Sequence, residues 1–235
     1  MGGKSLLKNK IVEEFPEGYE EMIYIEPFVG GGSVLLKKEK SVKEIINDID
    51  KDLITVYKGF KKYDPEKIKK DVNGKYSEKD FFDIMDSRPK SEYQKFIRMF
   101  LLFRLSFYAN LKSFSKSKDY IKLRVEYKDR LKDVKILNQS YEKLFKYDSP
   151  NSFFYLDPPY EGSDKEHYEN PYIDYEELKD YLDRLRGKFL LSINDSPYIR
   201  KLFKDYDITK VKTKYTDALK GGQSRVKIEL LIKNY

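Results

Sequence analysis

The sequence contains no cysteine, no tryptophan and a single histidine, His167. Without cysteine there is no disulfide, no thiolate metal site and no cysteine nucleophile. One imidazole cannot build a histidine-based metal cluster or triad, so no metal is expected. No apolar stretch approaches the roughly 20 residues of a membrane span. The N-terminus also lacks the charged, apolar, small-residue order of a signal peptide. The expectation is an intracellular, cytoplasmic protein with no membrane partner. Neither an internal repeat nor a low-complexity tail is present.

What the chain does have is enough apolar material for a packed core. Its 235 residues are 40% hydrophobic and 15% aromatic, which argues for a folded chain rather than a disordered one. That length suits one large domain, or a core domain carrying a substantial insertion. Lys and Arg number 47 against 40 Asp and Glu, a formal net charge of +7. Such an excess permits a polyanionic partner such as nucleic acid, although a solvated lysine-rich surface gives the same count.

The most informative stretch is Asn151 to Tyr160, Asn-Ser-Phe-Phe-Tyr-Leu-Asp-Pro-Pro-Tyr. Its apolar run suits a buried strand. Pro158 and Pro159 then stop the ladder, because neither can donate a backbone hydrogen bond. Asp157 therefore falls at a strand's carboxyl end, where open α/β sheets bind ligands. A carboxylate, rigid proline carbonyls and the flat face of Tyr160 suit a planar ring bearing an amino group.

A second strand-to-turn unit lies upstream. Met22 to Phe28 reads as a strand running into Val29-Gly30-Gly31-Gly32-Ser33, and Val34 to Leu36 as the start of a helix. Adjacent glycines permit positive φ and close approach of a ligand to the backbone. The spacing is not Gly-x-Gly-x-x-Gly, and a bare turn with no ligand would read the same way. Met1-Gly2-Gly3-Lys4-Ser5 lacks the preceding strand of a phosphate loop and is not read as one. About 20 residues beyond the glycines come Asn47-Asp48-Ile49-Asp50, at the end of another strand. One of these acids suits ribose hydroxyls and one suits a cap on the helix beginning near Lys51.

From Lys61 to Lys146 charged helical patterns dominate. Phe96 to Tyr108 is strongly apolar but broken by Arg98 and Arg104, whose spacing puts them on different helix faces. The loop after it, with Asn110, Lys112, Lys116 and Lys118 among Ser and Phe, suits phosphate contacts and stacking, or plain solvation. Lys135 to Gln139 reads as a short strand and Tyr141 to Phe145 as a helix. Further on, Glu161 to Asp174 is a polar loop placed to act as a lid. Tyr175 to Arg186 and Tyr198 to Phe203 read as helices, and Lys188 to Asn194 as a buried strand. Val211 to Tyr215 and Val226 to Lys233 can close the sheet as antiparallel strands joined by the basic connection Ala218 to Arg225.

Glu26-Pro27-Phe28-Val29-Gly30-Gly31-Gly32-Ser33-Val34 together with Asp157-Pro158-Pro159-Tyr160 resembles the DNA adenine-N6 methyltransferase family. The match is to the class with the cofactor motif before the catalytic motif and target recognition between them. Gly2-Gly3-Lys4, Asn47-Asp48-Ile49, Leu191-Ser192-Ile193-Asn194 and Gly221-Gly222 before Glu229-Leu230-Leu231 fall in the family's order. The resemblance thus spans nearly the whole chain.

It implies an α/β fold: a Rossmann-like S-adenosylmethionine-dependent methyltransferase sheet with a mainly helical inserted target-recognition region. The catalytic domain would be 1–60 and 147–235, and the insert 61–146. Lys4, Phe28, Gly30, Gly32, Asp48 and Asp157 would bind the cofactor, with Asp48 on the ribose. Asp157, Pro158, Pro159 and Tyr160 would carry catalysis on a flipped adenine, without metal. Double-stranded DNA would be the partner, alongside a cognate restriction endonuclease, and the enzyme a monomer or weak dimer. Cytosine-N4 or RNA adenine-N6 transfer, and an inactive DNA-binding relative, are the competing readings. Two departures stand out. The family's tryptophan before Gly-Gly-Lys has no counterpart, and its Asn-Gly pair appears only as Asn110-Leu111.

Overall fold

The apolar runs become parallel strands sealed on both faces, the pattern that only a sheet covered by helices allows. The computed structural model describes residues 7–107, 111–123, 127–161, 173–217 and 223–235. After a short helix α1 (Lys8–Glu13), strand β1 (Ile23–Glu26) leads into β2 (Lys43–Asn47) and helix α2 (Lys51–Lys62). Helices α3 (Pro65–Val72), α4 (Glu78–Asp86), α5 (Glu92–Leu105) and α6 (Tyr127–Leu131) follow. Between them lie the two-residue strands β3 (Gly74–Lys75) and β4 (Tyr120–Ile121), paired antiparallel. The chain returns through β5 (Lys135–Leu137), β6 (Ser152–Leu156), α7 (Tyr175–Asp183), β7 (Lys188–Asn194) and α8 (Pro197–Leu202). It closes with β8 (Asp207–Asp217) and β9 (Gln223–Lys233).

Among the described residues, seven strands form one sheet in the order β5-β2-β1-β6-β7-β9-β8. The first five are parallel, and β9 runs antiparallel between β7 and β8. Strand order reverses between β1 and β6. The chain moves outward through β2 and β5, then crosses back to lay β6 beside β1. In such sheets the crevice at that reversal, beyond the carboxyl ends of the strands, is where ligands sit. All five side chains of β6 are buried, as are Phe189 to Ile193 of β7. One core packs Tyr24, Phe153 and Tyr155 against Phe15 and helices α2 and α5. The other packs Phe154, Leu156 and Phe189 against α7 and α8.

Several elements end where local chemistry dictates. Pro27 stops β1 after Glu26. Asp50 caps α2, accepting from Asp52 N at 2.8 Å and Leu53 N at 3.0 Å. Ser77 and Asp80 form a capping box on α4. Arg98 turns back to the far end of α4, donating to the carbonyls of Ile84 at 3.0 Å and Met85. It thus satisfies helix-end acceptors rather than an acid, and Arg104 is exposed.

Two expectations need correction. Val34 to Leu36 does not begin a helix. Leu36 N reaches Gly32 O at 2.9 Å and Lys38 N reaches Val34 O at 3.0 Å, and the turn goes no further. Only a short passage separates this turn from β2, and Lys38 is drawn down into a buried ion cluster instead. Tyr141–Tyr147 is a 3₁₀ helix rather than an α-helix. Strand β5, inside the stretch with helical character, belongs to the main sheet. Among the described residues no helix is long and apolar enough to cross a membrane.

Candidate active site

Because β1, β2, β6 and β7 run parallel, their carboxyl ends meet at one edge of the sheet, and every central motif arrives there. β1 delivers Glu26 to Gly32, β2 delivers Asp48, β6 delivers Asp157 to Tyr160, and β7 delivers Asn194. Glycine turn and Asp157 flank the reversal between β1 and β6.

The turn is built around Asp48. Its Oδ2 accepts from Gly30 N at 2.9 Å and its Oδ1 from Asp50 N at 3.0 Å. The two acids of Asn47-Asp48-Ile49-Asp50 thus divide the work, Asp48 holding the turn and Asp50 the helix. Burial is the main influence on the Asp48 carboxyl and raises its pKa, against those backbone donors, which lower it. Gly30 and Gly32 have φ of 46° and 66°, the left-handed region that favours glycine. Tyr57 OH donates to Gly30 O at 2.8 Å, and a side chain at Gly32 would strike that same hydroxyl. Asn47 locks the next loop, with Nδ2 donating to Pro27 O at 3.0 Å and Gln139 O at 2.9 Å. The Phe28 ring lies against Tyr141 at 5.2 Å between centroids.

Beyond β6, Asp157 is half-buried, Pro158 buried, and Pro159 and Tyr160 half-buried. The Pro159 carbonyl accepts from Tyr175 OH. Tyr160 OH donates to Glu229 Oε1 at 2.5 Å, and Asn194 Nδ2 donates to Glu161 O at 3.2 Å. Glu26 is 2% exposed and accepts from Tyr24 OH at 2.8 Å. Burial, reinforced by the charge of Asp157 and opposed by Tyr24, raises its pKa from 4.5 to about 8. A protonated Glu26 does not repel Asp157.

Lys112 and Lys116 are exposed, whereas Lys118 donates to Ser106 O at 3.0 Å and is half-buried. Lys4, Asn110, His167 with most of the lid segment, and Gly221-Gly222 lie outside the described residues. Glu26, Ile49, Gln139, Tyr175 and Glu229 were not singled out as site residues by sequence reasoning. The signal for Glu229 was present, an acid interrupting the apolar run Ile228 to Ile232.

A family profile described as D12 class N6 adenine-specific DNA methyltransferase matches residues 1–216. The chain belongs to that family. The methyltransferase is 29% identical to the type II methyltransferase M.MjaIII of Methanocaldococcus jannaschii, over 100% of this chain and 96% of that one. It is 28% identical to the type II methyltransferase M1.LlaDCHI of Lactococcus lactis subsp. cremoris, over 100% and 93% respectively. Among solved structures, the precorrin-6y C5,15-methyltransferase of Geobacter metallireducens aligns at a TM-score of 0.44 and 9% identity, covering 97% of this chain and 86% of that chain.

As a family member, the protein is an S-adenosylmethionine-dependent DNA adenine-N6 methyltransferase. The site fits that cofactor on its own chemistry. Among the described residues two buried polar atoms have no hydrogen-bond partner here: Gln139 Nε2, on the loop that Asn47 locks beside Asp48, and Tyr141 OH, at the start of the 3₁₀ helix that follows. Ile49, adjacent to Asp48, is an aliphatic side chain 53% exposed. Unmet polar atoms beside an exposed apolar surface and a carboxylate suit a nucleoside. Among the described residues no group of three or more His, Asp or Glu side chains converges to hold a metal ion.

Proposed function

We propose that the edge between Gly30 and Tyr160 is the methyl-transfer site and that it acts on an adenine flipped out of double-stranded DNA. The observation that carries this is the convergence of Asp48 with the glycine turn on one side of the β1–β6 reversal and Asp157 on the other. Asp48 and Lys4 hold the cofactor, Asp48 on its ribose, while Phe28, Gly30 and Gly32 shape the turn beside its methionine end. When bound, the cofactor supplies an electrophilic methyl group.

The chain's own residues handle the base. Adenine within a duplex is out of reach, so it is extruded at the cost of unstacking. Tyr160 offers a face for the extruded ring. Asp157 and the Pro158 carbonyl accept the two amino hydrogens, while Tyr175 keeps the Pro159 carbonyl occupied. Accepting both hydrogens localises the lone pair on N6 and aims it out of the ring plane. Positioning and electrostatics then supply most of the rate, with no covalent intermediate on the enzyme.

We assign the insert to 63–134, within the expected 61–146, because α2 runs to Lys62 and β5 joins the main sheet. Within it, Asn110, Lys112 and Lys116 contact the DNA backbone. Lys118 is spent on Ser106. A cognate restriction endonuclease, action in the cytoplasm, and a monomeric or weakly dimeric state complete the reading, supported by the type II relatives and by the charge.

Asp157→Ala should abolish methyl transfer with the melting temperature near wild type, because the residue sits at a strand end rather than filling the core. Methylation near the wild-type rate in that variant would sink the mechanism.

A further inference from the structure

Glu229 is an acid where the sequence calls for a hydrocarbon. It interrupts Ile228-Glu229-Leu230-Leu231-Ile232 and is 1% exposed. It sits opposite Asn194 in the β7–β9 ladder, at the end of the sheet that carries the site. A carboxylate sealed there is costly unless its oxygens are met. Both are met by hydroxyls. Tyr160 donates to Oε1 at 2.5 Å, and Ser192, itself fully buried, donates to Oε2 at 3.2 Å.

The connection reaches across the sheet. Tyr160 follows β6, Ser192 belongs to β7 and Glu229 to β9, so three adjacent strands meet through one carboxylate. Tyrosine has only two soft side-chain torsions. With Pro158 and Pro159 stiffening its backbone approach and its hydroxyl held, the ring has little freedom to tilt. A hydrogen bond from a hydroxyl to a charged acceptor is among the stronger ones in proteins.

We propose that Glu229 is a positioning residue for methyl transfer, acting through Tyr160 by fixing the tilt of its ring against the target adenine. This rests on the reading of Tyr160 as the stacking face. Ser192 orients the carboxylate in turn, so that Oε1 points at the tyrosine hydroxyl.

The test compares methyl transfer from labelled S-adenosylmethionine to unmethylated plasmid DNA in the full-length enzyme. Tyr160→Phe removes the hydroxyl alone, and Glu229→Leu removes the acceptor while keeping apolar volume. Each should lower kcat about tenfold, the worth of one charge-assisted hydrogen bond, with KM for the cofactor unchanged, and each should lower the melting temperature, because Tyr160→Phe strands the Glu229 carboxylate and Glu229→Leu strands the Ser192 hydroxyl. The double variant should fall about tenfold in kcat rather than about a hundredfold, since both changes break the same Tyr160–Glu229 bond. Glu229→Gln, whose amide oxygen still accepts, should recover most of the rate. Should Glu229→Leu fail to fold, the Tyr160→Phe and Glu229→Gln arms still decide.

Tyr160→Ala separates the two layers of the claim. If it is inactive while Tyr160→Phe turns over like wild type, the role of Glu229 is overturned and the stacking face stands. If Tyr160→Ala is itself fully active, the stacking reading fails, and the inference fails with it.

Discussion

Glu26 ends β1 with its carboxyl buried, Tyr24 OH on one oxygen and the Asp157 charge within range. Its proton is retained in the folded enzyme to about pH 8 and lost near 4.5 in an unfolded chain. The folded state therefore binds more protons between those values. Its stabilising contribution is complete below about 4.5, falls through the window, and is gone above about 8. Denaturant midpoints of the apo-enzyme should decline between pH 5 and 8, by at most about 1.4 kcal/mol of stability per unit. Glu26→Gln should flatten that decline, and an unchanged slope in the variant would place the proton elsewhere. Asp48 and Asp50 show what spacing alone leaves open. Both acids stood in the right place for either role, and only the fold assigns the Gly30 amide to one and the α2 amides to the other.

At the scale of elements, the insert is tied to the glycine turn by a buried ion cluster. Arg130 on α6 donates to Leu35 O at 2.7 Å and, bidentately, to Glu44 on β2. Lys38 donates to the same carboxylate at 2.6 Å. Burial alone would raise the Glu44 carboxyl, but the Arg130 and Lys38 contacts outweigh it and hold the group below its ordinary value. Burial lowers Lys38 despite that partner. Removing Arg130 leaves Glu44 to Lys38 alone and strips the Leu35 carbonyl of its donor, so Arg130→Met should cost about 1–3 kcal/mol in urea unfolding. The exposed Lys62–Glu92 pair between α2 and α5 is the control. Lys62→Met should leave the midpoint unmoved. Equal shifts in the two variants would show that the Arg130 cluster does not bear on stability. No sequence pattern announces this cluster, because its partners come from three separated segments and each reads alone as a surface charge. Strands and caps, by contrast, were legible, since continuous apolar runs and Asp or Ser before a helix act locally. Lys188–Asn194 has the bounds its apolar run suggested. Val34 to Leu36 is a short apolar run after a glycine turn, which suits a helix start as well as a single turn, and the burial of Lys38 against Glu44 ends it after one turn.

For the molecule as a whole, a charge of +7 acquires a direction. Strand β9 pairs with β7 only from Glu229 to Lys233, whereas β8 and β9 stay paired out to Asp217 and Gln223. The two-stranded ribbon therefore runs on past the sheet on the side of the proposed site, with Lys212 exposed where it leaves. Lys112 and Lys116 are exposed cations on the loop that follows α5. Replacing any of these three by Gln should reduce the salt dependence of DNA binding by about one unit of log–log slope, as the loss of a phosphate contact requires. Lys118→Gln should not, because its ammonium is held by Ser106. Slopes that stay put in all three variants would mean that the DNA lies elsewhere.

The central claim is that an Asp157-centred site methylates the amino group of adenine in DNA. The most direct measurement is to incubate wild-type enzyme and Asp157→Asn with labelled cofactor and, separately, duplex DNA and RNA, then to resolve the labelled nucleosides. Label should appear in N6-methyladenine, from DNA, with wild-type enzyme alone. Label in N4-methylcytosine, in RNA, or from the Asp157→Asn variant would contradict it.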